Sequence, residues 1–171
     1  MTKIRTNVSF EVTDDISGAL RKATEDAFAE VTAELTARLD DSVSGNYWPW
    51  PRESKRFGGG RDLADVSRQW REASFNTGSP RSIVDSGDLK QSRDFDLNRS
   101  SLTANWTWNV DYAAAVHEGA FIHPFGDKSR TVQIPARPWT QAVIEGNTVA
   151  AGIPVYQVGP NLKAAIERRM R

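Results

Sequence analysis

One apolar stripe constrains this chain more than anything else in it. Ile16, Leu20, Ala23, Ala27, Val31, Leu35 and Leu39 recur at three- and four-residue spacing, and Phe28 widens the band. Glu25, Asp26, Glu30, Glu34 and Arg38 fill the opposite side. That spacing predicts an amphipathic helix of about seven turns over residues 15–41. Thr13-Asp14-Asp15 ahead of it offers short oxygen-bearing side chains for the free amides and acids for the positive end of the dipole. Gly18 weakens the first turn a little.

An amphipathic helix needs an apolar surface to lie on, and the strand patterns provide one. In 3–12, Ile4, Val8, Phe10 and Val12 share one parity, interleaved with Arg5, Asn7, Ser9 and Glu11, the pattern of a half-buried strand. Asp94-Phe95-Asp96-Leu97 alternates, and so does Leu102 to Val110, with Leu102, Ala104, Trp106, Trp108 and Val110 on one face. Asn98-Arg99-Ser100-Ser101 between them predicts a hairpin turn. Tyr112 to Glu118 reads as a short helix ended by Gly119, and Arg130 to Ile134 as a further strand. Pro138 suits the first residue of a helix running to Glu145. Val155-Tyr156-Gln157-Val158 suggests another strand, and Asn161 a cap for a last helix whose final residues are basic. Strands and helices are segregated rather than alternating. The fold class expected is therefore α+β: a small antiparallel sheet packed against one long N-terminal helix, with short helices and a long extended arm.

That arm is residues 43–84. Pro49, Pro51, Gly58-Gly59-Gly60 and Gly78-Ser79-Pro80 interrupt any regular element there, although Leu63 to Trp70 has the spacing of a short helical turn. A loop of this length inside one domain is usually functional or ordered by a partner. With 171 residues, the whole chain, 1–171, suits a single domain that buries roughly 70% of its unfolded surface.

Composition removes several chemistries. There is no cysteine, which excludes disulfides, thiolate catalysis, iron–sulfur clusters and cysteine-bearing zinc sites. No apolar run approaches the ~20 residues that span a bilayer, and no apolar stretch follows the basic N-terminal residues as in a secretory signal. Lys+Arg and Asp+Glu both number 22, so the whole chain exerts no net pull on nucleic acid or anionic membrane. The balance is uneven along the chain, however. Residues 1–42 carry 5 basic and 9 acidic side chains, and residues 128–171 carry 7 and 2. Opposite ends of opposite sign suit head-to-tail contact between copies, and suit equally a monomer that folds its two ends together.

No arrangement of residues makes a catalytic site. Val84-Asp85-Ser86-Gly87 has the Asp-Ser/Thr-Gly form of aspartic proteases, but that chemistry needs two carboxylates sharing a proton, hence a homodimer, and no flap-supporting motif follows. Asp85 and Gly87 fit a turn better, with Asp88 capping what comes next. His117 and His123 are the only histidines; Glu118 and Asp127 lie near, yet the spacing fits no helix-borne metal ligand set. No Gly-x-Ser-x-Gly exists, and Gly58-Gly59-Gly60-Arg61 lacks the end of a phosphate loop. Trp48, Trp50 and Arg52, with Lys55, Arg56, Phe57 and Arg61, mix aromatic and basic groups. Such a set can stack on single-stranded nucleic acid or anchor a protein interface, and the neutral overall charge favours the interface. No enzyme activity, cofactor or metal is expected.

Three segments, taken in order, carry a resemblance. Ser79 to Ser92, containing Arg81, Asp85, Gly87 and Leu89, resembles the "pRdivDTGxLrxS" segment of a tailed-bacteriophage neck and tail-completion family, which includes lambdoid-phage neck proteins and proteins like minor tail protein Z. Tyr112-Ala113-Ala114-Ala115-Val116-His117-Glu118-Gly119 resembles its "YAxxVHxG" helix. Ile134-Pro135-Ala136-Arg137-Pro138-Trp139 resembles its "iPARPW" turn. Tyr47 to Arg52 is similar to one branch of the group. The match spans about 47–145; residues 58–77 are longer than the family's link, and 146–160 resemble an insertion.

The resemblance implies a non-enzymatic structural protein of the virion, assembled in the host cytoplasm and located in the neck between head and tail. It implies a homo-oligomeric ring, hexamer or dodecamer, joining a head-completion or portal-adaptor protein to a tail terminator or tail tube, with DNA only as cargo in the channel. A tail terminator ring is the nearest alternative; an Asp-Ser-Gly protease dimer and a single-stranded nucleic-acid-binding module are alternatives of other classes. In the ring reading Tyr112 and Val116 pack the short helix on the sheet, His117 and Gly119 end it, and Pro135 and Pro138 fix the turn. Arg137 is then aimed at a neighbour's carboxylate, and Trp48, Trp50 and Arg52 lie on an arm that orders on an adjacent ring.

Overall fold

The computed structural model describes residues 3–12, 17–48, 87–123, 132–146, 150 and 152–171. The long helix α1 runs Gly18–Ser44. It starts later than the spacing predicts, because the Ser17 hydroxyl accepts from the Leu20 amide at 3.3 Å and so closes the first turn. It also ends later, three residues beyond 41, and so takes Val43 and Ser44 from the predicted arm. Its buried face holds the expected Ala23, Ala27, Phe28, Val31, Leu35 and Leu39, together with Thr24, Thr32, Ser42 and Val43. The hydroxyls enter that face because each donates to a carbonyl of the preceding turn: Thr24 to Leu20 at 2.9 Å, Thr32 to Phe28 at 2.8 Å and Ser42 to Leu39 at 2.7 Å.

Three strands form the sheet that α1 covers: β1, Ile4–Ser9; β2, Arg93–Asn98; and β3, Thr103–Trp108. The order is β1-β3-β2 with both pairings antiparallel, so the protein has the expected mixed α+β architecture. The β2–β3 hairpin turns where predicted. Asn98 Oδ1 accepts from the Ser101 amide at 3.1 Å, and Leu102 closes the turn at φ 49° while its side chain stays buried. Ile4, Ala104, Trp106 and Trp108 face α1 and its neighbours. Phe95 stacks on Trp106 with centroids 5.1 Å apart, and Phe10 meets Phe28 edge-on at 6.0 Å. Trp106 Nε1 donates to Thr36 Oγ1 at 2.9 Å, so the indole reaches a polar partner on the helix it packs against. At the edge of the same layer Arg93 makes a two-pronged pair with Asp40, at 2.7 and 3.0 Å.

Just before β2, among the described residues, lies a one-turn helix, α2 (Asp88–Gln91). After β3 follow α3 (Ala113–Glu118), β4 (Ala120–Ile122), β5 (Val132–Ile134) and α4 (Trp139–Ile144). β4 pairs antiparallel with β5 in a separate two-stranded sheet, a pairing the sequence does not announce. The strand expected at Val155–Val158 is absent. The chain there is extended but lies against helices, and its Tyr156 amide donates to the Val143 carbonyl at 2.7 Å instead of to a strand. The last helix, α5, runs Val158–Arg169, so it begins before Asn161 and contains Pro160 in its first turn. Proline is tolerated there because first-turn amides have no intrahelical acceptor. Leu162 and Ala165 bury α5 against α1. One continuous core joins α1, the three-stranded sheet, α4, Tyr156 and α5. Among the described residues no helix is long and apolar enough to cross a membrane.

Candidate functional site

Two of the three resembling segments meet at one junction. The last carbonyls of α3, on Val116 and His117, both accept the Arg137 amide, at 3.0 and 3.1 Å. Helix carbonyls at a C-terminus need such donors from outside the helix. Gly119 leaves the helix at φ 80° and ψ 154°, a conformation essentially reserved for glycine. A side chain at that position would also collide: its Cβ would lie 2.9 Å from the Ala136 amide nitrogen and 3.1 Å from the Ile134 carbonyl oxygen. The Ile134–Trp139 turn therefore crosses directly over the end of α3, and glycine is what lets it approach. Beyond the crossing, the Trp139 amide donates to the Arg137 carbonyl at 2.8 Å and the Pro138 carbonyl accepts from Ala142, which starts α4.

Side chains complete the junction. His117 Nε2 and Thr140 Oγ1 are 2.8 Å apart. The imidazole meets Trp139 edge-on with centroids 4.7 Å apart, and Trp139 meets Trp108 of the sheet at 5.6 Å. His117 is buried, and burial holds its pKa below the ordinary histidine value, opposed by the charge of Glu118. At neutral pH it is an uncharged ring between two helices. Its one hydrogen-bonded nitrogen is engaged by Thr140, whereas a general base must reach a substrate proton. His123, by contrast, is exposed. Among the described residues no three His, Asp or Glu side chains gather as a metal-binding group.

Several expected roles change. Tyr112 does not pack α3 on the sheet: it is 42% exposed, and the neighbouring Ala113 is fully buried in its place. Val116 does pack against the core, half-buried. Arg137 is only 5% exposed, so its guanidinium is buried within its own chain instead of being presented to a neighbour. Trp48 is not an arm contact. It is wholly buried, with Nε1 donating to the Ser42 carbonyl at 2.7 Å, and it closes the end of α1. Trp50, Arg52 and Asp85 lie outside the described residues. Gly87 precedes α2 at φ 90°, the permissive turn expected of it, and Leu89 is buried. Pro135 and Pro138 are half-buried, and Trp139 is fully buried. Sequence reading missed Thr140 and Trp108 as partners of His117 and Trp139. Their only signal was Trp108's place on the apolar parity of its strand.

The opposite charges of the two ends meet within one molecule. Glu30 on α1 accepts from Arg168 at 2.6 Å and from Arg169 at 2.5 Å. Arg169, chiefly through its hydrogen bond, holds the Glu30 carboxyl below its ordinary value. A few residues away, Tyr156 donates to Glu34 at 3.1 Å beneath the Arg38 guanidinium, 5.2 Å above its ring. Comparison with family models, with characterised proteins and with solved structures finds nothing that matches this chain.

Proposed function

We propose that this chain is a structural component of a tailed-phage head–tail junction, a neck or tail-completion protein that works as a homo-oligomeric ring. The observation that carries the reading is the junction at Gly119. Two segments that resemble the family, separated by the β4–β5 hairpin, are in backbone contact there and set each other's course through Gly119, Pro135 and Pro138. Residues used in this way are needed for shape, and a protein whose product is a shaped ring needs them most. The buried, neutral His117 and the inward Arg137 are packing groups in the same sense.

Size-exclusion chromatography with light scattering, together with immunolabelled imaging of purified particles, tests the proposal. Label at the head–tail junction is the expected result, and absence of the protein from purified particles rejects it. A monomer in free solution does not, because such rings can require the assembling particle. Proteolysis abolished by Asp85→Asn would favour the protease dimer instead. Strongly salt-dependent binding of single-stranded DNA would favour the nucleic-acid module.

A further inference from the structure

Resting on that reading, we infer that the three-stranded sheet continues from one copy of the chain to the next, with the outer edge of β2 meeting the outer edge of β1 of its neighbour. Among the described residues β1 and β2 are the two edges of the sheet, and each pairs only with β3. Unpaired edges are templates for a further strand, so the question is which strand.

The side chains of the uncovered face answer it. The register sets three rows across the sheet: Arg5–Thr107–Asp94, Asn7–Asn105–Asp96 and Ser9–Thr103–Asn98. The β1 edge is thus basic, with Arg5 exposed and Lys3 just before it, and the β2 edge is acidic, with Asp94 and Asp96 exposed. A two-fold pairing of β2 with β2, antiparallel and centred on the strand, would oppose these carboxylates to one another, which is unfavourable. Pairing β2 with β1 of the next copy extends the first row as Arg–Thr–Asp followed by Arg–Thr–Asp, with Asp94 beside Arg5 at every join. β1 and β2 both run antiparallel to β3, so with α1 on the same side of the sheet in every copy the new pair is parallel, and the contact uses two different surfaces. Heterologous contacts of this kind close into rings or run on as filaments.

The absence of native cysteine makes the arrangement directly testable. Asn7 and Asp96 flank β3 in one row, two strand spacings or about 10 Å apart, beyond the ~7 Å that a disulfide can bridge. Oxidation of the doubly substituted Asn7→Cys, Asp96→Cys chain should then give a ladder of cross-linked oligomers on a non-reducing gel. Each single variant should stop at dimers. Arg5→Glu in the double-cysteine background should lower the ladder yield roughly fivefold, and adding Asp94→Arg should restore it. Ladders no longer than those of the single variants, up to the solubility limit, overturn the edge pairing. So does a ladder indifferent to both charge changes. Either result leaves the neck assignment standing on the imaging of particles, whereas a charge-dependent ladder from a protein absent from particles keeps the interface and rejects the neck.

Discussion

Gly119 is the residue whose replacement reads most directly on the junction. Gly119→Ala imposes a side chain on a glycine-only conformation and sets its Cβ 2.9 Å from the Ala136 backbone, a cost of roughly 1–3 kcal/mol for the backbone alone. For a chain of this size that is a fall in melting temperature of about 3–10 °C. Thermal unfolding followed by circular dichroism checks it, and an unchanged midpoint would contradict the crossing described at Ala136. His117 gives a pH dependence of definite sign. Burial lowers its folded-state pKa, so the unfolded chain takes up a proton first as pH falls. The stability held by the neutral ring is complete above the unfolded value of about 6.5. It declines as pH drops toward the lower folded value and levels off beneath it. His117→Gln should flatten that part of the curve of melting temperature against pH, measured between pH 7 and 5. A variant curve parallel to the wild type would show that His117 is not the group responsible.

At the scale of elements, α1 against the sheet and α5 against α1 are held by different forces, and they should respond differently. Leu39 is fully buried between α1 and its neighbours, and Leu39→Ala should cost about 2–5 kcal/mol by chemical denaturation. The Glu30 pairs with Arg168 and Arg169 are short but half open to water, and exposed pairs are worth at most about 1 kcal/mol. Glu30→Gln should therefore lower stability by less than about 1 kcal/mol, an effect that shrinks further in high salt. A larger loss would mean that the pairs, rather than Leu162 and Ala165, dock the last helix. The same contrast explains what the sequence made legible. Long periodic signals survive: the α1 stripe and the β2–β3 hairpin are where the spacing puts them. β5 falls inside the strand expected at Arg130 to Ile134, but three-residue β4 is too short to express a period, so the pairing of the two was invisible. Val155 to Val158 has the composition of a strand, but its backbone finds an acceptor in Val143. Asn161 looked like the cap of α5, but the helix starts at Val158 and holds Pro160 in its first turn, where proline is tolerated. The hydroxyls of Thr32 and Ser42 hid part of the buried face, because their satisfaction by local carbonyls cannot be read from composition. At the candidate junction the glycine and prolines were legible as conformational demands. The inward turn of Arg137 and the exposure of Tyr112 were not, since both depend on which side of the turn the core lies.

For the whole molecule, the segmental charge imbalance has an outlet inside the chain, and copies need not meet through their acidic and basic ends. In the proposed pairing the contact lies instead at β1 and β2, the sheet edges among the described residues. There is also the length of α1. Its 27 residues extend about 40 Å, while six-residue strands extend about 20 Å, so the sheet can underlie only about half of it. Along another side, α1 also packs on α4 and α5, with Glu30 and Glu34 meeting the C-terminal segment. Under tension between the chain ends the two attachments would yield in different ways. β1 is anchored by a ladder of hydrogen bonds to β3 loaded together in shear, whereas α5 can peel from α1 one side chain at a time. In a single-molecule pulling experiment α5 should release first and at low force, with the helix–sheet body following as one later, sharper event. A chain so built gives at its C-terminal helix while its sheet stays intact.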